Sequence, residues 1–116
     1  MKLVYHLSTC STCKRILNSL TLPKDVSLID IKQQAITGEV LEELKTQFGS
    51  YEALFSKKAK RFNEVKSTIS CDEDFKALIL SDYTFLKRPV FIYNDFYSVG
   101  NDRSAVERLQ EKFNAC

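Results

Sequence analysis

"HLSTCSTCK", residues 6–14, places Cys10 and Cys13 three positions apart, with His6 before them and Lys14 directly after. The stretch lies between a short apolar run, "LVYH" at 3–6, and a segment in which Ile16, Leu17 and Leu20 recur at helical spacing, so it reads as a strand-to-helix junction. Ser and Thr on either side of Cys10 are candidate helix caps, because their hydroxyls can accept from the unpaired N–H groups of a first turn. A helix is expected over about 12–20, ended by Pro23. "VSLIDI", 26–31, is rich in β-branched residues and reads as a second strand. The cysteine pair therefore sits at the turn of a β-α-β unit.

The middle of the chain changes period. Val40, Leu41, Leu44 and Phe48 form an apolar stripe with Glu39, Glu42, Glu43 and Lys45 facing away, and Gly49 is a candidate C-cap. "SYEALFS" and "AKRFNEVK" read as short helices. Phe75, Leu78 and Ile79 mark another helix, opened by an acidic "DED" that suits a helix N-terminus. From residue 88 the strand pattern returns: Val90–Tyr93 and Phe96–Val99 read as two strands joined at "ND", a hairpin turn without the glycine of the strongest ones. Val106, Leu109 and Phe113 then place a last helix from about Asp102. The order β-α-β, helices, β-β-α is the thioredoxin arrangement: an α/β fold with a four-stranded mixed sheet and a helical insertion over about 37–83, in one domain spanning 1–116.

The chain has 116 residues, 44% of them hydrophobic and 28% charged, the ordinary range for one globular domain with a modest core. With 17 basic and 15 acidic residues, a net charge of +2 gives no argument for direct nucleic-acid binding. No run reaches the roughly 18 apolar residues of a membrane span, and "KLVYHL" is too short for the apolar part of a signal peptide. A cytoplasmic protein with no membrane role is expected. Thiols there stay mostly reduced, so the four cysteines do not read as a structural disulfide framework.

Three chemistries fit Cys10 and Cys13. As a redox pair, the N-terminal turn of the helix and Lys14 would favour a thiolate on Cys10, and Cys13 could reach a mixed disulfide on Cys10 and release the product. As a zinc site, one C-x-x-C supplies two of the four usual ligands, His6 could be a third, and Cys71 and Cys116 form no second knuckle. As core residues, both would be buried and inert. A C-x-x-C near a βαβ pattern in a cytosolic protein favours the redox reading.

On "YHLSTCSTCK", on the Arg-Pro of "LKRPVFIY" (86–93), and on the helical insertion and the Val-Gly of "YSVGND", the chain resembles the ArsC arsenate reductase family with its relatives, the Spx regulators and YffB-type proteins. The resemblance runs through essentially the whole chain and implies the thioredoxin fold. It implies further that Cys10 is the nucleophile and that His6 helps to activate it. Arg88 would bind an oxyanion or carboxylate through its guanidinium fork, and Pro89 would be cis beside the cysteine loop. Lys14 is added as a nearby cation on the substrate side.

Two departures bear on activity. Cys13 stands where the arsenate reductases of this group carry serine and Spx-type proteins carry a second cysteine. Where they carry further arginines, this chain has Ser56 and Asn101; Lys57, Lys58, Lys60 or Arg61 could substitute, although "KKAKR" also reads as a solvated helix face. The leading expectation is a thiol-disulfide oxidoreductase attacking through Cys10 and resolving through Cys13, with a disulfide or a small oxyanion such as arsenate as substrate. It would bind no cofactor and would draw electrons from glutathione, glutaredoxin or thioredoxin. The alternative is an Spx-like redox-switched transcription regulator whose partner is RNA polymerase.

Overall fold

β1 is the hub of the sheet. In the computed structural model, which describes residues 1–114, β1 (Lys2–His6) pairs in parallel with one strand and antiparallel with another. Along the chain follow α1 (Ser11–Asn18), β2 (Ser27–Asp30), α2 (Gly38–Phe48), α3 (Phe62–Val65), α4 (Asp72–Ser81), β3 (Val90–Tyr93), β4 (Phe96–Val99) and α5 (Arg103–Asn114). Short 3₁₀ turns lie at Glu52–Leu54, Lys66–Thr68 and Tyr83–Phe85. The strand order β2-β1-β3-β4, parallel on one side of β1 and antiparallel on the other, is the expected four-stranded mixed sheet of a thioredoxin-like fold.

The described residues form two compact units, residues 1–34 with 88–114 and residues 35–87; the expected insertion falls within the second. In the first unit, Val4 and Phe91 are register partners on one sheet face, where Ile16 of α1 and Leu109 and Phe113 of α5 pack with them. Burying each such side chain contributes about 1.5–3 kcal/mol, so this cluster fixes α1, and with it the cysteine junction, to the end of β1. Asn114 ties the two helices further: its side-chain oxygen accepts from Thr21 N–H and its amide donates to the Ser19 carbonyl, both at 2.7 Å. Asn94 opens the β3–β4 turn with φ 56°, a conformation asparagine tolerates better than most residues.

In the second unit, Phe55 stacks on Phe85 at 5.1 Å between ring centroids and meets Phe75 edge-on at 4.9 Å. Leu41, Leu44, Leu54 and Ile79 are fully buried around them. Gly49 ends α2 in the left-handed conformation, φ 93°, as its C-cap reading requires. Among the described residues no helix is long and apolar enough to cross a membrane.

Candidate active site

Cys10 is the N-cap of α1. Its backbone is extended (φ −92°, ψ 113°), its N–H donates to the Leu7 carbonyl at 3.0 Å, and its own carbonyl accepts from Lys14 N–H at 3.1 Å. The Ser or Thr cap expected from the sequence is therefore replaced by a cysteine, and no side-chain oxygen caps the helix. The N–H groups of the first turn are left for sulfur.

That placement favours the thiolate of Cys10. Partial burial opposes ionisation, but the Cys13 backbone, the Cys13 thiol, the Thr12 backbone and the positive charge of Arg88 together outweigh it and hold the Cys10 thiol below its ordinary value. Cys13, one turn along, has no exposed surface. Burial raises its thiol first; a backbone hydrogen bond with Leu7 and the charge of Arg88 lower it, while the hydrogen bond and charge of Cys10 raise it further, to about 11. The two thiols thus interact and feel the same cation, yet are shifted in opposite directions. Both are reduced in this structure.

Arg88 enters from the start of β3. The Arg88–Pro89 bond is cis, and Pro89 is buried with its carbonyl accepting from Gly100 N–H at 3.0 Å. Gly100 has φ 93°, which a side chain would strain, so this clamp depends on glycine. Cys10, Cys13, Arg88 and Pro89 belong to one unit, and the Arg88 charge acts on both cysteines. Lys14 lies exposed on α1. His6 ends β1 as the register partner of Asp30, and its charge acts on the Asp30 carboxylate. Asp30 lies inside "VSLIDI", the stretch that reads as the second strand. Its carboxyl is held below the usual range chiefly by the Ser8 side chain, against partial desolvation, with help from the Lys32 and Ser8 backbones and His6. The signal for it in the sequence was faint: an acid closing an otherwise apolar run.

Asn101 is exposed just after Gly100. Ser56 lies in the second unit, where its N–H donates to the Phe85 carbonyl at 2.6 Å. In that unit Lys57 pairs with Glu52 at 2.6 Å and Arg61 with Asp82 at 2.8 Å, while Lys58 and Lys60 are exposed. Among the described residues no three His, Cys, Asp or Glu side chains are grouped to hold a metal ion. Cys71 is exposed at the start of α4, and Cys116 lies outside the described residues.

Residues 5–109 match the family model of the ArsC family. The chain belongs to the ArsC family. Solved structures agree in fold. A YffB protein is 19% identical with a TM-score of 0.75, over 92% of this chain and 96% of its own. An ArsC family related protein from Bacteroides fragilis is 24% identical with a TM-score of 0.66, over 94% and 99%. An arsenate reductase related protein from Brucella melitensis is 20% identical with a TM-score of 0.63, over 100% and 97%. A search of curated proteins found no match. At these identities the likeness carries the fold, and membership of the ArsC family supports a thiol oxidoreductase at family level.

Proposed function

We propose that this ArsC-family protein is a thiol-disulfide oxidoreductase with Cys10 as nucleophile and Cys13 as resolving thiol. One observation carries the reading: Cys10 is partly exposed at the N-cap of α1, where its thiol is shifted down, while Cys13 one turn along is buried and its thiol is shifted up. A nucleophile must be a thiolate near neutral pH, and a resolving thiol must not compete with it for the substrate.

The reaction begins with attack of the Cys10 thiolate on one sulfur of a substrate disulfide. The S–S bond breaks, one half leaves as a thiolate that takes a proton from solvent, and the other half stays bound as a mixed disulfide on Cys10. Cys10 has then lost its negative charge, and with it two of the influences that keep Cys13 protonated, while the Arg88 charge remains. Cys13 gives its proton to the departing half and attacks the Cys10 sulfur. The second substrate thiol is released and Cys10–Cys13 becomes a disulfide. Two electrons and two protons from glutathione, glutaredoxin or thioredoxin restore the dithiol. For an oxyanion substrate the Arg88 guanidinium is the donor this unit offers.

His6 keeps the part the resemblance implies, a histidine at the end of β1 that helps to activate Cys10. It is the register partner of Asp30 on β2, and its charge acts on the Asp30 carboxylate.

The experiment is turnover of a disulfide substrate with glutathione plus glutaredoxin, or with thioredoxin, followed by mass mapping of the oxidised protein. Sustained turnover and a Cys10–Cys13 link are expected. Absence of turnover with every reductant, or a dominant Cys10–Cys71 link, overturns the reading. A single oxidation without turnover, coupled to capture of RNA polymerase, favours the Spx-like switch instead.

A further inference from the structure

We propose that Asp30 is a positioning residue for the cysteine pair: from the end of β2 it holds the turn of backbone that holds both sulfurs. This rests on the redox reading of Cys10 and Cys13.

The geometry runs through three consecutive residues. Ile31 N–H donates to the His6 carbonyl at 2.9 Å, and Asp30 Oδ1 accepts from Ser8 N–H, a long bond at 3.4 Å. These two contacts, one from the end of β2 and one from the residue after it, bracket Leu7. Leu7 in turn carries the cysteines: its carbonyl accepts from Cys10 N–H at 3.0 Å, and its backbone is hydrogen-bonded to the Cys13 thiol. The same Asp30 oxygen accepts from Lys32 N–H at 3.1 Å, which fixes the carboxylate against its own turn. Asp30 is half-buried, and His6 stands across from it on β1. The carboxylate therefore reaches the thiols through backbone, without touching them, and sets how squarely the first turn of α1 presents its N–H groups to Cys10.

Charge and position make opposite predictions for this residue, which separates them. If Asp30 acted only as a nearby negative charge, removing it would make Cys10 more reactive, because a thiolate is easier to form away from a carboxylate. If it positions the loop, Asp30→Ala makes Cys10 less reactive, since the Ser8 N–H loses its acceptor and the turn loosens. Asp30→Asn keeps an oxygen at the same place without the charge, so it retains reactivity.

The test is the rate of Cys10 alkylation by iodoacetamide at neutral pH, read by peptide mass, beside the thiolate ultraviolet titration, in wild type, Asp30→Ala, Asp30→Asn and Ser8→Ala. A hydrogen bond of this kind is worth about a two- to tenfold change, and Asp30→Ala is expected to slow Cys10 labelling by that factor and raise the midpoint of its titration. Asp30→Asn should label at the wild-type rate or slightly faster, and Ser8→Ala, which keeps the N–H, should lie between. Faster labelling in Asp30→Ala, or equal rates in all four folded proteins, overturns the positioning role while leaving Cys10 as the nucleophile. An ordinary thiol titration for Cys10 in the wild type overturns the proposed function and this role together.

Discussion

Cys10 and Cys71 hold the same place in their helices, the residue before the first turn, in α1 and α4 respectively. What surrounds them is opposite. The first turn of α1 has no acid, its N–H groups at Thr12 and Cys13 point to the Cys10 sulfur, and Arg88 adds positive charge. The first turn of α4 holds Asp72, Glu73 and Asp74. There the Asp74 carboxylate already accepts from Ser70 N–H at 2.8 Å and Cys71 N–H at 3.2 Å. Asp72 accepts from Tyr51 and Glu52 N–H at 2.9 and 3.0 Å. Both sulfurs lie beside first-turn N–H groups, since the Cys71 side chain accepts from Asp74 N–H; what differs is charge, a cation beside Cys10 and three carboxylates beside Cys71. A cysteine at a helix N-terminus is therefore not by itself a reactive cysteine, and what occupies the first turn decides between the two.

The largest expected effect separates the two cysteines outright. Cys10→Ser should remove disulfide formation and lower reductase turnover by on the order of a thousandfold or more, as loss of a covalent nucleophile does. Cys71→Ser should leave both unchanged. Turnover that survives Cys10→Ser would show that the contrast has been drawn at the wrong residue. Next in size, Cys13→Ser should leave the first attack intact and trap the mixed disulfide on Cys10, visible as a mass adduct that an external thiol removes. If no adduct accumulates, Cys13 is not the resolving group.

A smaller effect isolates the cation. Arg88→Ala should slow Cys10 alkylation about three- to tenfold, the size of one charge contribution of roughly 0.7–1.4 kcal/mol. Arg88→Lys should recover part of it, keeping the charge without the forked geometry. Cys71 labelling should not change in either variant. The smallest effects come from exchanging the acids. Ser11→Glu would give α1 a carboxylate in its first turn, as α4 has, and should slow Cys10 labelling about two- to fivefold at low salt. Asp74→Asn keeps the backbone acceptor and removes one charge, and should speed Cys71 labelling about twofold. Both should fade as salt is added; effects that persist in high salt would mean a local structural change instead.

Legibility in the sequence followed how local the cause was. Val90–Tyr93 and Phe96–Val99 come from two short, largely apolar runs on either side of a two-residue turn, and they are the strands of the structure. The first helix ends earlier than Pro23 suggests, at Asn18, because the Ser19 hydroxyl and Asn114 satisfy its last carbonyls. In α5 the buried stripe is Ala105, Leu109 and Phe113, with Val106 at its margin, a shift that composition does not reveal because alanine marks a close approach without looking apolar. The segments "SYEALFS" and "AKRFNEVK" form only a 3₁₀ turn, the four-residue α3 and a second 3₁₀ turn. Bonds between Leu54–Ser56 and Phe85–Lys87 pull the backbone there out of helix: Ser56 N–H to Phe85 carbonyl at 2.6 Å and Lys87 N–H to Leu54 carbonyl at 2.9 Å.

For the site, Cys10 and Cys13 were legible from spacing, because a turn of helix is a local event. Arg88 is 78 positions beyond Cys10 in the chain and was reached only through the family resemblance. Asp30 was not legible as a site residue at all. Its contacts to Ser8 exist only because β1 and β2 pair in one register, and an acid at a strand end usually reads as solvated.

The measurement that bears most directly on the central claim is the alkylation rate of each cysteine against pH, resolved by peptide mass in the reduced wild-type protein. Cys10 should label first, with a midpoint below the ordinary thiol value of about 8.5, and Cys13 should stay protected until strongly alkaline pH, near the value of about 11 set by its burial. Cys71 should label as an exposed cysteine without the Arg88 charge. If Cys13 labels before Cys10, or if Cys10 and Cys71 follow one curve, then the start of α1 does not activate its cysteine and the redox assignment of the pair is contradicted.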